Sequence, residues 1–211
     1  MPQDKPLLFT VFVQVKPESV KEFNKWYDDH VIEVVDCPGF LDGHRYEALG
    51  LEGANYLAIY HIESAKALET PEFGKARGWK EFQPVVIKAS NAVYQPIHFA
   101  PAPARAGLGV KPSLLRFNRS EPVPEKESEY NHWYNNIHLP ELMQCPGYIS
   151  AERYVAVKGA PKYMAMYQMT DYAQTTPEFN RVKGFRQLEP YVREKTNITY
   201  KPIYQYAKKL S

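Results

Sequence analysis

The chain is poor in cysteine, in net charge and in long apolar runs, and each shortage closes off a class of protein. Cys37 and Cys145 are the only cysteines in 211 residues, too few for a disulfide framework. A formal net charge of +2, with 24% charged residues, gives no electrostatic demand for a polyanion, so neither nucleic acid nor an anionic membrane is an expected partner. Apolar runs such as that around Leu7 to Val13 are far too short to span a bilayer, and Met1 to Pro6 lacks a basic segment followed by an apolar one. A cytoplasmic protein is expected. A Gly-rich phosphate loop, a nucleophile elbow and a zinc signature are all missing as well.

What the chain does contain is a second copy of itself. "CPGFLDGHRYEAL" from Cys37 answers "CPGYISAERYVAV" from Cys145, "YLAIYHIES" answers "YMAMYQMTD", and "TPEFGKARGW" answers "TPEFNRVKGF". The matches keep one order over about a hundred residues, which points to duplication. Between the copies, "FAPAPARAGLGVKPS" has the alternating prolines and glycines of a linker. The expected organisation is a first repeat over 1–99, a linker over 100–112 and a second repeat over 113–211.

Each copy opens with a β-branched apolar run. A helix follows, started by Pro17-Glu18 or Pro124-Glu125, where proline sacrifices no hydrogen bond and glutamate suits the positive helix end. Val20, Phe23, Tyr27, Val31 and Val34 share one face of the first such helix. Pro-Gly ends it. Two strands, a second helix and a last strand complete the order β-α-β-β-α-β, the ferredoxin-like motif. The fold class is therefore α+β, two tandem ferredoxin-like domains whose antiparallel sheets cover each other as a pseudo-two-fold α+β barrel.

The chemistry concentrates in "NHWYNNIHLPELMQCPGY" from Asn131, with a weaker copy, "NKWYDDHVIEVVDCPGF", from Asn24. Pro140 has no amide hydrogen and its ring opposes the carbonyl of Asn136, so a kink or a restarted helix is expected near His138. The extra residue before His138 predicts a further local distortion. Histidine and a carboxylate three residues apart suit proton transfer near neutral pH, with Glu141 orienting His138; the alternative is a histidine that caps freed carbonyls. Cys37 and Cys145, each before Pro-Gly, read as small apolar residues at helix ends, with a disulfide or a nucleophile as lesser readings.

"WYNNIHLPELMQCPGY" followed by "ERY" resembles the EthD-like branch of the dimeric α+β barrel superfamily, with its Trp-Tyr, His-x-Pro-Glu, Pro-Gly-aromatic and Arg-Tyr elements at Trp133, Tyr134, His138, Pro140, Glu141, Pro146, Gly147, Arg153 and Tyr154. The first copy keeps Trp26, Tyr27, His30, Glu33, Arg45 and Tyr46 but has one residue fewer before the histidine and Ile32 in place of the proline. The resemblance implies a barrel with a small-molecule pocket more firmly than it implies one reaction.

The expected catalytic set is His138, Glu141, Arg153 as anion clamp, and Tyr134. The expected substrate-binding set is Trp133, Asn131, Tyr154, Tyr163 and Tyr167, with His30, Glu33, Tyr27, Trp26, Arg45 and His44 in the first copy. His44 and His61 have no histidine counterparts, since Glu152 and Gln168 stand there. No cofactor and no metal are expected, because the two His-x-x-Glu helices would lie on opposite faces. The expected activity is cofactor-independent acid/base catalysis, of lyase, isomerase or cyclase type, on an aromatic or polyketide-like carbonyl or carboxylic compound. A non-catalytic carrier of a hydrophobic molecule and a cofactor-free monooxygenase are the alternatives, and the two-domain chain is a candidate homodimer.

Overall fold

The computed structural model describes residues 5–101 and 111–208. Most of the expected linker, 102–110, lies outside them. Ala100 and Pro101 do not belong to a linker, because they continue a strand.

Both halves have the order β-α-β-β-α-β. The first comprises β1 (Leu7–Val15), α1 (Val20–Val35), β2 (Phe40–Leu49), β3 (Ala54–Ile62), α2 (Pro71–Ala76) and β4 (Val86–Pro101). The second comprises β5 (Leu114–Pro122), α3 (Glu127–Trp133), a π turn (Tyr134–His138), α4 (Leu139–Leu142), β6 (Tyr148–Lys158), β7 (Tyr163–Met169), α5 (Pro177–Val182) and β8 (Val192–Ala207). Single 3-10 turns at Pro17–Ser19 and Pro124–Lys126 carry the proline-glutamate pairs that open α1 and α3. Thr70 and Thr176 cap α2 and α5 alike, each hydroxyl accepting from the amide three residues on.

Two compact units result, and neither is continuous in sequence. The first takes the chain through Gln95 with Val157–Gly159 and the end of β8 from Tyr200; the second takes Pro96–Ala156 and Ala160–Thr199. In the first, β1 lies antiparallel between β3 and β4, and β3 pairs with β2. In the second, β7 lies antiparallel between β5 and β6. The described strands hydrogen-bond in the order β1-β3-β2-β8-β5-β7-β6-β4, a closed barrel.

Each unit has its own core. Phe23, Tyr27, Val31 and Val34 of α1 pack on Phe9, Ala58 and Tyr60, while Val20 at the helix start is only partly buried. Tyr130, Trp133, Tyr134 and Leu142 pack on Ala151, Ala165 and Tyr167 in the same way. Pro-Gly ends each helix because the segment that follows β3 or β7 passes too close for a side chain. A Cβ on Gly147, at φ +87°, would lie 2.4 Å from the Thr170 hydroxyl, and one on Gly39, at φ +81°, would lie 2.8 Å from Ala67 Cβ. Cys37 and Cys145 are buried free thiols that donate back to the carbonyls of Glu33 and Glu141, and burial raises both above the ordinary thiol value. Their place is the helix end.

Candidate functional site

The distortion expected at His138 is present, but it is not a restart. His138 and Leu139 keep helical angles (φ −65°, ψ −49° and φ −64°, ψ −46°), and the Leu139 amide bonds the Tyr134 carbonyl five residues back. The helix widens by one residue for a single turn, which is how Pro140 is accommodated without a break. His138 stacks on Trp133 with ring centroids 4.6 Å apart and meets Tyr134 edge-on at 5.1 Å.

Beside His138 is a cavity of about 180 Å³, lined by Arg116, Asn118, Tyr134, Tyr148 and Tyr167 among others. The Tyr134 and Tyr167 hydroxyls share a 2.6 Å hydrogen bond. His138 Nδ1, Asn118 Oδ1 and Tyr148 Oη, each on a residue that lines the cavity, are buried with no well-aligned hydrogen-bond partner among the described residues. Tyr134 lies beside Asn118 and Gln174 beside Tyr148, so His138 Nδ1 is the one of the three without a neighbouring side-chain partner, and an unmet buried polar atom is costly. Lys183, Lys195 and Glu189 also line it, so the charge around the cavity is mainly positive.

The ionisation states reflect burial. Desolvation, reinforced by the charges of Arg186 and Arg153, lowers His138 to about 4, while a hydrogen bond to the Val182 carbonyl opposes the shift. The imidazole is therefore neutral at physiological pH. Because Nδ1 is unpartnered, the hydrogen bond to the Val182 carbonyl is assigned to Nε2–H, a tautomer that leaves the lone pair on Nδ1. Burial raises Tyr134 and pushes Tyr148 up to about 12. Both remain phenols able to donate.

Glu141 does not orient His138. It is taken by the Arg186 guanidinium, through Nη1 to Oε1 at 3.4 Å and a shorter contact from Nη2 to Oε2. The expected dyad occurs instead in the first half, where His30 Nδ1 lies 3.1 Å from Glu33 Oε2 and Lys80 stays 3.8 Å from the other oxygen. Lys80 and Arg186 occupy matching places in "GWK" and "GFR", both with positive φ. The forked guanidinium captures its glutamate fully where the lysine does not.

Arg153 also differs from the expectation. It is fully buried against the helix, donating to Asn135 Oδ1 at 2.6 Å and Asn131 Oδ1 at 2.8 Å, with its guanidinium 4.3 Å from the Tyr134 ring centroid. Those bonds engage both Nη atoms, so it braces the helix instead of clamping a substrate. Asn131 and Tyr163 belong to the same brace, bonded to each other at 2.8 Å, with Glu127 accepting from the Tyr163 hydroxyl at 2.6 Å. Trp133 is the stacking partner of His138, and Tyr154 donates to Glu152. Of the expected second-half residues, His138, Tyr134 and Tyr167 reach the cavity; Glu141, Arg153, Trp133, Asn131, Tyr154 and Tyr163 do not line it.

In the first half, Arg45 is buried with Asp28 Oδ1 at 2.5 Å and Asn24 Oδ1 at 2.5 Å, under the Tyr27 ring. A first-half cavity of about 420 Å³ is lined by Phe9, Tyr60, Phe73, Arg77 and Trp79, and not by Trp26, Tyr27, His30, Glu33 or Arg45. His44 lines a separate hollow with Tyr46. Arg116, Asn118 and Tyr148 were not anticipated. Tyr148 stood in the Pro-Gly-aromatic motif, whereas Arg116 and Asn118 lie in the least regular strand of the sequence.

No family model and no curated protein matches the chain. Solved structures do. An anthrone oxidase-like protein superposes with TM-score 0.72 at 15% identity, over 97% of this chain and 94% of that one. A proposed monooxygenase of Fusobacterium nucleatum gives 0.66 at 11%, over 97% and 95%, and a chlorite dismutase mutant from Candidatus Nitrospira defluvii gives 0.52 at 12%, over 94% and 93%. At these identities the likeness establishes the fold alone.

Proposed function

We propose that the second-half cavity binds a small, ring-bearing carbonyl or carboxylic compound and that His138 removes a proton from it without a cofactor. The carrying observation is that His138, whose buried Nδ1 has no hydrogen-bond partner among the described residues, lines the same cavity as Tyr134, Tyr167, Asn118 and Arg116. A cavity near 180 Å³ is close to the size, about 150 Å³, that holds one benzene ring. The positive lining favours an anionic or oxyanion-forming ligand, and neutral tyrosines suit a developing oxyanion as donors.

In this reading the C–H bond beside the carbonyl breaks, its proton bonds to Nδ1, and the electron pair moves to the carbonyl oxygen, which Tyr148, Tyr134 or Arg116 holds. Returning the proton to a different carbon completes an isomerisation. The low proton affinity of the resting imidazole rises when an anion offsets Arg186 and Arg153. A second reading, in which the same carbanion reacts with dioxygen, is favoured by the names of the oxidase-like and monooxygenase neighbours. We further infer that the chain is an internal duplication of an EthD-like unit and works in the cytoplasm.

Deuterium uptake from D2O into a panel of single-ring enones and β-keto acids tests the proton step. Wild type should exchange, and His138→Ala should lose at least about a hundredfold in rate. Equal rates in the two proteins would remove His138 as the base. Binding without any exchange would favour the carrier, and oxygen uptake dependent on the same substrate would select the second reading.

A further inference from the structure

Asp42, His44 and His61 form a cluster that the proton-transfer reading does not use. β2 and β3 place Asp42 directly opposite His61, and His44 lies two residues along β2 on the same face. Asp42 Oδ1 is 2.5 Å from His61 Nδ1 and 3.2 Å from His44 Nε2, and the three ligand atoms all lie within 4.8 Å of one another. We propose that these residues bind a divalent first-row transition ion through two imidazole nitrogens and one carboxylate oxygen.

The geometry fits such an ion. Metal–ligand bonds of about 2.1 Å put neighbouring ligand atoms about 3.0 Å apart at right angles and about 3.4 Å apart in a tetrahedron. The Asp42–His44 spacing of 3.2 Å falls between these, and the Asp42–His61 spacing of 2.5 Å needs to open by about 0.5–0.9 Å. Side-chain exposures of 27%, 31% and 32% leave room for that adjustment and let an ion arrive from solvent. Two nitrogens with one carboxylate suit zinc, iron or cobalt better than magnesium or calcium, which select all-oxygen sets. His44 and Tyr46 form one wall of a hollow of about 420 Å³, closed in part by Tyr204. An ion held by three protein atoms would keep open positions for water or a small ligand.

The second half supplies an internal control. Ser150, Glu152 and Gln168 occupy the same register, with Ser150 opposite Gln168 and its hydroxyl donating to Gln168 Oε1 at 3.3 Å. Two of the three metal-ligating residue types are lost there, and both nitrogens with them. That simultaneous difference marks the cluster as a property of the first half, not of the shared fold.

The test is titration of EDTA-treated full-length protein with Zn²⁺ by calorimetry and with Co²⁺ by visible absorption. Wild type should bind one equivalent, with ligand-field bands of nitrogen–oxygen coordination. His61→Gln, which installs the residue that the second half carries at this register, His44→Gln and Asp42→Asn should each weaken binding by about a hundredfold or more, since loss of outer partners alone costs up to that much. His30→Ala should bind like wild type. Circular dichroism and melting of the metal-free variants should match wild type, so that loss of binding is not loss of fold. Wild-type affinity no greater than that of the His44→Gln/His61→Gln double variant, or binding abolished by His30→Ala, would overturn the site.

Discussion

Trp133 and His138 stack at 4.6 Å with 16° between their planes although five residues separate them, and Trp26 and His30 stack at 4.7 Å and 13° although only four do. The π turn at Tyr134–His138 absorbs the extra residue. It returns the imidazole to the same place over the indole but gives the ring nitrogens different surroundings. In the first half the ring bonds Glu33; in the second, Nδ1 is buried without a partner on a residue that lines a cavity. One inserted residue thus separates a histidine held by a carboxylate from one whose Nδ1 has no partner among the described residues.

Restoring the first-half spacing should therefore separate stability from activity. Deletion of the exposed Asn136 combined with Pro140→Ile recreates the α1 pattern, removes the widened turn and keeps the Trp–His stack. Melting should stay within a few degrees of wild type, since the first half already folds with this arrangement, whereas proton exchange should fall by at least tenfold because Nδ1 is re-aimed. Retention of full exchange in this variant would mean that the π turn is only a packing solution.

His138 makes stability depend on pH in a defined direction. Its folded value, about 4, lies below the ordinary value of 6.5, so between those limits the unfolded chain binds more protons and folding stability rises with pH. The contribution is fully present above pH 6.5 and is lost as pH falls through 4. Its size is about 3 kcal/mol. Urea unfolding at pH 7 and pH 4.5 should show a smaller acid loss in His138→Phe than in wild type. Identical acid losses would mean that the imidazole is not held neutral by burial.

Arg153 and Arg45 brace the two helices with different chemistry. Arg45 meets the carboxylate of Asp28, and Arg153 meets the amide of Asn135 at the matching position. Asn135→Asp should give Arg153 the same ion pair and stabilise the protein by about 1–2 kcal/mol, because the charge on Arg153 is already buried and the hydrogen bond becomes charge-assisted. Arg153→Lys should cost about 2–4 kcal/mol, since one ammonium cannot reproduce the fork that joins Asn131 and Asn135. Chemical denaturation reads both. If Arg153→Lys left stability unchanged and cost only ligand affinity, the residue would be a substrate clamp after all.

Much of the fold was legible because its signals are local. Pro17-Glu18 and Pro124-Glu125 mark helix starts, Pro-Gly marks helix ends, and Phe23, Tyr27, Val31 and Val34 repeat at helical spacing. The site was less legible because its partners are distant. Glu141 sits three residues from His138 but is claimed by Arg186, forty-five residues along the chain. The face of Arg153 was hidden by the register shift between Tyr148 and Ser150, which resets the alternation of β6 and turns Ala151 and Arg153 to the side of buried Tyr148. Arg116 and Asn118 come from β5, whose mixed sequence carries little periodic signal, and only the folded chain brings them to the cavity that His138 lines.

The Tyr134–Tyr167 pair joins the brace to the cavity, so its two hydroxyls should be coupled. They share a 2.6 Å bond inside a fully buried cluster, and the Tyr134 ring also faces the Arg153 guanidinium. Removing one hydroxyl leaves the other to find a partner in a low-dielectric interior, at a cost of about 1–3 kcal/mol. Removing both takes the orphan away. Tyr134→Phe and Tyr167→Phe should each destabilise the protein, and the double variant should be more stable than the sum of the single effects predicts, with a coupling of about 1 kcal/mol or more. The rates should divide differently. The proton-transfer reading uses the Tyr134 hydroxyl as an oxyanion donor and Tyr167 only to aim it, so Tyr134→Phe should lower kcat by about tenfold or more and Tyr167→Phe by less. Additive stabilities would show that the hydroxyls do not depend on each other, and an unchanged kcat in Tyr134→Phe would leave Tyr148 and Arg116 as the groups that hold the oxyanion.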